Sequence, residues 1–291
     1  MSTESEEGPL VRYEVTDGVA IVTMHRPRYR NAQNAKLTYA IDDAYTRAIN
    51  DDAVKVIILA GEGKHFSAGH DIGTPGRDIE GPFERRATNW YDHVGRPGAE
   101  GIFVREQELF LGMCRRWREI PKPTIARVHG ACVAGALMLA WCCDLIVASD
   151  DAFFADPVVR MGIPGVEYFA HPFEMNPRIA KEFLFLGERM SAQRAYEVGM
   201  INRVIPRAEL EAETMDIAQR IGKMPRFALA LTKKAINQAE DRMGLRDSID
   251  ATYGLHHLAH AHSALTKTDH IGGMDAKKMA AAMKGPSKGD S

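Results

Sequence analysis

Two stretches of small residues hold the chemistry that this chain's backbone could perform. The first is HGACVAGALMLAW at residues 129–141. Ahead of it, residues 124–128 (TIARV) have strand-like side chains, and Pro123, which cannot donate to a ladder, stands at the strand's start. Residues 135–141 read as a short helix that is apolar on every side and therefore buried. A strand that turns through small residues into a helix leaves backbone N–H groups aimed at one spot, with the helix dipole behind them. The second stretch, HFSAGHDI at residues 65–72, follows the apolar run VKVIILA at 54–60, which Gly61 and Gly63 break. Within it, Ser67-Ala68-Gly69 lets the backbone pass close to another group. Two such turns can each supply one N–H to a shared oxygen, as an oxyanion hole requires. The same residues equally suit close packing around a buried helix.

The elements that position these turns follow from pattern. Residues 11–15 and 19–24, separated by Asp17-Gly18, read as a β-hairpin. A loop bearing Arg26, Arg28 and Arg30 precedes a helix with Leu37, Ile41, Ala44/Tyr45 and Ala48 on one face. Residues 73–106 are rich in glycine, proline and mixed charge, with Trp90, Tyr91 and His93 at the centre. That composition predicts a functional lid, with a disordered loop as the alternative, and leaves room for a short helix over 83–91. Residues 105–119 form an amphipathic helix burying Leu109, Phe110, Met113 and Trp117, and DLIVAS at 144–149 is a strand. Helices follow at 177–186, ended by Gly187, and after Ser191, ended by Gly199. Residues 201–205 make a last short strand. From 207 the pattern is helical: 210–221, 227–243 and 245 to about 265.

Composition narrows the partners. The 291 residues carry 37 basic and 39 acidic side chains and are 45% hydrophobic, enough for a large core in one domain or one plus an appendage. A near-neutral charge gives no reason to expect nucleic acid. The four cysteines, Cys114, Cys132, Cys142 and Cys143, sit in apolar surroundings without metal-ligand spacing, as buried thiols in a reducing cytosol would. The N-terminus MSTESEEGP has no signal-peptide pattern, so a cytoplasmic protein is expected. The longest apolar run, 131–143, is short of the roughly 20 residues that span a bilayer. His256 and His260 have i,i+4 spacing that could bind a metal, but no acidic or cysteine cluster is near in sequence. A surface or interface helix without metal is therefore expected.

Taken together and in order, HRPRYRNAQN (25–34), HFSAGHDI, KPTIARVHGACVAGALMLAWCCDLIVAS (122–149), MGIPG (161–165) and MSAQRAYEVGMINRVIP (190–206) resemble the enoyl-CoA hydratase/isomerase family, the crotonase superfamily. The resemblance covers roughly residues 10–245 and implies an α/β fold, a spiral of ββα units with a helical C-terminal segment that packs in trimers. The implied layout is a disordered N-terminus at 1–9, a spiral core at 10–206, a helical segment at 207–283 and a disordered tail at 284–291. It further implies an acyl-CoA thioester as partner, coenzyme A entering as part of the substrate with no other cofactor, and a homotrimer or dimer of trimers. By motif position the oxyanion N–H groups belong to His70 and Gly135. Contacts to coenzyme A fall on Arg28, Arg30, Ser67, Ala68, Asp71 and Ile72, the two guanidiniums matching phosphate oxygens. The arginine loop taken by itself equally reads as a solvated basic loop.

One departure from the family pattern bears on activity. Family hydratases use two glutamates, one to activate water and one to protonate the α-carbon. The matching positions here are Met138 and Val158, and neither side chain can move a proton. Three other residues are candidates for that work. Asp156 lies two positions before Val158 and shares its face if the segment is a strand. Glu167 and His171, four apart, would touch if their segment is helical. Each of the three equally suits a capping or core hydrogen-bonding role. Ordinary water addition is therefore doubtful. An isomerase, a hydrolase or a non-catalytic acyl-CoA binder remain alternatives.

Overall fold

A computed structural model describes residues 8–74, 81–88, 95–267 and 278. The chain opens with the expected hairpin, β1 (Val11–Thr16) and β2 (Val19–Met24), whose turn residues Asp17 and Gly18 both have positive φ. That pairing matches the twist of a two-residue hairpin. Four parallel strands extend the sheet: β3 (Val56–Gly61), β4 (Thr124–Val128), β6 (Leu145–Ser149) and β9 (Arg203–Ile205), in the order β1-β2-β3-β4-β6-β9. A second sheet holds β5 (Ala131–Val133), β7 (Phe153–Ala155) and β8 (Met190–Ser191). Strands alternate between the sheets: β4 leads to β5 and then α4 (Gly135–Trp141), and β6 leads to β7 and then a 3₁₀ turn at Pro157–Met161. This is the expected spiral of ββα units.

The core follows from strand alternation. Every residue of β3 is buried, so both of its faces are covered. Ile57 and Leu59 face the main core with α1 (Ala35–Asn50) and α4. Val56 and Ile58 face the other side, where Leu210 and Ala218 of α8 (Leu210–Gly222) close a second core. The helical segment after 206 is therefore not set apart from the spiral: its first helix covers the sheet. The remaining helices are α2 (Gly98–Glu106), α3 (Met113–Arg118), α5 (His171–Glu174), α6 (Pro177–Leu186), α7 (Ala192–Glu197), α9 (Arg226–Arg242) and α10 (Leu245–Lys267).

Several expectations need correction. The helix placed at 105–119 starts earlier, at Gly98, and a π-helical turn, Gln107–Gly112, joins α2 to α3. Turns of this kind recur at functional sites. The turn before α4 contains an extra strand, β5, too short for periodicity to reveal. Asp156 and Val158 do not share a strand, because β7 ends at Ala155 and Pro157 opens a 3₁₀ turn. Glu167 is not helical either; α5 begins at His171, so the imagined i,i+4 pair does not form. The part of the expected 83–91 helix that is described, residues 83–88, is not helical; Trp90, Tyr91 and His93 lie outside the described residues, as do 1–7 and 279–291. Among the described residues no helix is long and apolar enough to cross a membrane.

Candidate active site

The two small-residue turns meet. Ser67 bridges Cys132: the Ser67 amide donates to the Ala131 carbonyl at 3.0 Å, and the Val133 amide to the Ser67 carbonyl at 3.3 Å. Gly69 sits at φ +87°, and a Cβ there would stand 2.6 Å from the Val133 carbonyl oxygen and 3.0 Å from the Gly135 nitrogen. Only glycine permits that approach. Ala134, between the strand and α4, holds φ +50°, ψ −120°, a costly backbone for a non-glycine residue and the kind found at functional turns. Its side chain does not cap the helix. Among the described residues neither the His70 nor the Gly135 amide donates a hydrogen bond to protein. Unpaired amides are uncommon in buried backbone, and here two occur in touching turns.

A second loop braces this one. The Arg30 carbonyl accepts from the Ala68 amide at 3.0 Å, and Gln33 exchanges bonds with Gly69 and Asp71. Asn31, fully buried, donates from Nδ2 to the carbonyls of Glu62, His65 and Phe66. Arg26 is not a free loop cation. It forms a buried ion pair with Asp71 at 2.6 Å, and Asp71 also accepts from the Thr74 amide and hydroxyl. Ser67 is wholly buried, its hydroxyl donating to the Asn31 carbonyl and accepting from the Gly69 amide. The side chains of Ser67 and Asp71 thus build the loop and do not reach solvent. Ala68 and Ile72 are half-buried beside them, and Arg28 and Arg30 are exposed on the adjoining loop.

Side chains close the site from the other direction. The His70 imidazole stacks on Phe110 of the π turn, centroids 3.7 Å apart, and lies so close to Gly135 that any Cβ there would collide with the ring. Burial holds its pKa down at about 4, so the ring is neutral. Its Nδ1 is 3.6 Å from Glu167 Oε1, and its Nε2 is buried without a hydrogen-bond partner. Glu167 is buried too, and desolvation first, with Glu106 adding to it, pushes its carboxyl upward against the opposing charge of His256. Asp156 and His171, both fully buried, pair through Oδ2 and Nε2 at 2.9 Å, and the Val166 amide also donates to Oδ2. Trp141 and Phe169 pack around the His171 ring. Asp156 Oδ1 and His171 Nδ1 have no hydrogen-bond partner.

The candidate residues therefore split into two polar groups: Asp156 with His171, and Glu167 with His70. Met138 and Val158, the residues that the resemblance set at the glutamate positions, have apolar surroundings. Met138 lies in the main core, and Val158 joins Met161 and Ile163 in an apolar cluster against Ile72 and Ala134. Sequence reasoning named His70 only for its amide and Phe110 only as a core residue, and it missed their stacking and Glu106. It also placed the α10 histidines on a surface or interface helix, whereas His256 and His260 are buried within the chain itself, with Glu106 Oε2 3.4 and 3.7 Å from their Nε2 atoms.

The two-sheet ββα spiral is the fold of the crotonase superfamily, to which solved structures similar to this chain belong. The sequence profile of the enoyl-CoA hydratase/isomerase family matches residues 14–93 and 105–279, and the chain belongs to that family. It is 40% identical to a putative enoyl-CoA hydratase, EchA13, of Mycobacterium tuberculosis, over 90% of this chain and 84% of that protein. Human enoyl-CoA hydratase domain-containing protein 3, mitochondrial, is 32% identical over 79% of this chain and 70% of its own. Among solved structures, a probable enoyl-CoA hydratase from Mycobacterium smegmatis superposes with a TM-score of 0.81 at 42% identity, covering 90% of this chain and 98% of that one.

Proposed function

We propose that the chain is an acyl-CoA thioester enzyme that stabilises a thioester oxyanion or enolate through the amides of His70 and Gly135. The observation that carries this reading is the contact of Gly69 with Val133 and Gly135, which sets two unpaired amides in adjoining turns. A thioester oxygen accepting from both would gain negative charge as the α-proton leaves. Donors fixed in advance are effective because they need no reorganisation at that moment. The exposed Arg28 and Arg30, on the loop bonded to residue 68, suit the phosphates of coenzyme A. Backbone at residues 67–72, rather than the engaged Ser67 and Asp71 side chains, would contact the nucleotide.

Proton transfer falls to Asp156–His171 or to Glu167, which are buried titratable groups beside the turns and not tied up in bracing the loops as Asp71 is, while Met138 and Val158 cannot perform it. Ordinary hydratase activity is accordingly expected to be weak, and isomerisation or another enolate reaction to dominate. A panel of acyl-CoA thioesters tests this: product from any member supports an enzyme. Fast hydration of crotonyl-CoA would show that Met138 and Val158 have been placed wrongly. The second reading, an acyl-CoA binder, is favoured by the apolar packing of Val158. Tight binding across the panel without turnover of any member would decide for it. We also propose a homotrimer or dimer of trimers, and a cytoplasmic setting, both in keeping with the free cysteines and the exposed apolar residues of the last helices.

A further inference from the structure

Glu106, His256 and His260 bring three potential ligand atoms within 4.8 Å of one another, on two helices far apart in sequence. Glu106 is the last residue of α2, immediately before the π turn, and the histidines are one turn apart on α10. His256 Nδ1 is 2.9 Å from the Gly165 carbonyl. A carbonyl can only accept, so Nδ1 carries the proton, and in the neutral ring the Nε2 lone pair faces the cluster. Metal-binding histidines are commonly oriented by such a bond at the other nitrogen.

The spacings fit a shared ion. His256 Nε2 is 3.4 Å and His260 Nε2 is 3.7 Å from Glu106 Oε2, and the two nitrogens are 2.9 Å apart. Ligands about 2.0–2.1 Å from a tetrahedral ion stand roughly 3.3 Å from one another. A hydrogen-bonded cluster is the competing account, yet it leaves polar atoms unused. Glu106 Oε2, on a side chain only 15% exposed, meets three imidazoles only at ion-pair range, 3.4–3.7 Å, and neither it nor His257 Nε2 makes a hydrogen bond of good geometry. Buried orphans of this kind call for an explanation such as an ion.

We propose that Glu106, His256 and His260 bind one divalent transition-metal ion. Two imidazoles and a carboxylate suit Zn²⁺ or Fe²⁺ and not Mg²⁺ or Ca²⁺, which take oxygen ligands. Three protein ligands leave a coordination position open. Glu167 borders the site, its Oε1 3.9 Å from His256 Nε2 and 3.6 Å from His70 Nδ1. The ion would clasp α2 to α10 and sit one carboxylate away from the His70 ring.

The test uses the full chain without a polyhistidine tag, stripped with a chelator and then titrated with Zn²⁺ or Co²⁺. Expected are about one equivalent of tightly held Zn²⁺, a higher unfolding temperature with Zn²⁺ present, and a visible Co²⁺ spectrum of low-coordinate type that Zn²⁺ abolishes. Glu106→Gln and His260→Gln should each weaken Zn²⁺ binding roughly tenfold or more, whereas His262→Gln, at an exposed position, should leave it unchanged. Circular dichroism checks that each variant is folded; should one of the pair unfold, the other carries the comparison. Failure to bind Zn²⁺ at micromolar concentration, or binding that survives both substitutions undiminished, would overturn the assignment. Because the readout is metal binding, the result is independent of whether any thioester is turned over.

Discussion

A single methyl group at position 135 probes the paired turns directly. The His70 ring occupies the space that a Cβ on residue 135 would need, so Gly135→Ala must push the imidazole off Phe110 or shift α4. Overpacking of this kind costs about 1–3 kcal/mol of stability, whereas losing one oxyanion donor costs about 10²–10³-fold in kcat. The expected protein is folded and nearly inactive on whichever thioester the panel identifies. Retained turnover in a folded variant would show that the residue 135 amide keeps its place when the His70 ring is displaced. Asp156→Asn asks a different question of the dyad with His171. As a proton carrier, Asp156 should show a kcat loss of about 10²–10⁴-fold together with a changed pH profile. A folding defect with an unaltered profile would assign it a structural part instead. His129 shows how burial couples to pH without chemistry: desolvation, aided by Arg207, lowers its pKa from 6.5 to about 4 while Nε2 is held by the Gly63 carbonyl. The unfolded chain binds that proton more readily, so the neutral ring's contribution is complete above pH 6.5 and disappears as pH falls toward 4. Urea titrations across that window should show a shallower pH slope for His129→Asn than for the parent protein. Identical slopes would mean that other groups account for the acid sensitivity.

At the scale of elements, the site depends on two loops that brace each other, and the brace is ionic. Arg26 and Asp71 are both buried, and the pair joins the 26–33 loop to the 67–72 loop. Removing one member strands the other charge, so Asp71→Ala should cost about 3–5 kcal/mol, measured by urea unfolding. A loss below 1 kcal/mol would show that the loops are held chiefly by Asn31 and the backbone bonds. The contrast between these loops and the regular elements explains what could be read from sequence. The α1 face, the hairpin with Asp17-Gly18, and the glycine stop at 187 were legible because the signal is local: a period, a turn dipeptide, a positive φ. Strand β5, the 3₁₀ turn after Asp156 and the bend at Glu167 were not, because three- to five-residue segments take their conformation from their neighbours. The side-chain groupings were less legible still. Asp156 meets His171, and Glu106 meets His256, only because β7, α2 and α10 are brought together by the whole spiral. The amide pair stands apart: motif order proposed His70 and Gly135, and the structure sets their unpaired amides in adjoining turns without showing what they bind.

At the scale of the molecule, the last helices present more apolar surface than a lone chain needs. Phe227 and Leu231 on α9 and Leu255, Leu258 and Leu265 on α10 are exposed by 50–87%, and the three on α10 recur near helical spacing along one stripe. Contiguous exposed stripes of this kind mark association surfaces. The same helix turns His256 and His260 inward against Glu106, so α10 has two committed faces: one toward the site, one outward. Self-association through the outward stripe would therefore hold α10 against α2 and steady the groups beside His70. Leu258→Asp places a charge in the stripe while leaving the inward histidines in register, and it should yield a smaller species by sedimentation velocity without unfolding the chain. If the stripe steadies the site, the variant should also bind acyl-CoA more weakly at dilutions where the parent remains assembled. A variant that sediments like the parent would locate the interface elsewhere. Dissociation with undiminished acyl-CoA affinity would show that α10 keeps its place through intramolecular packing alone.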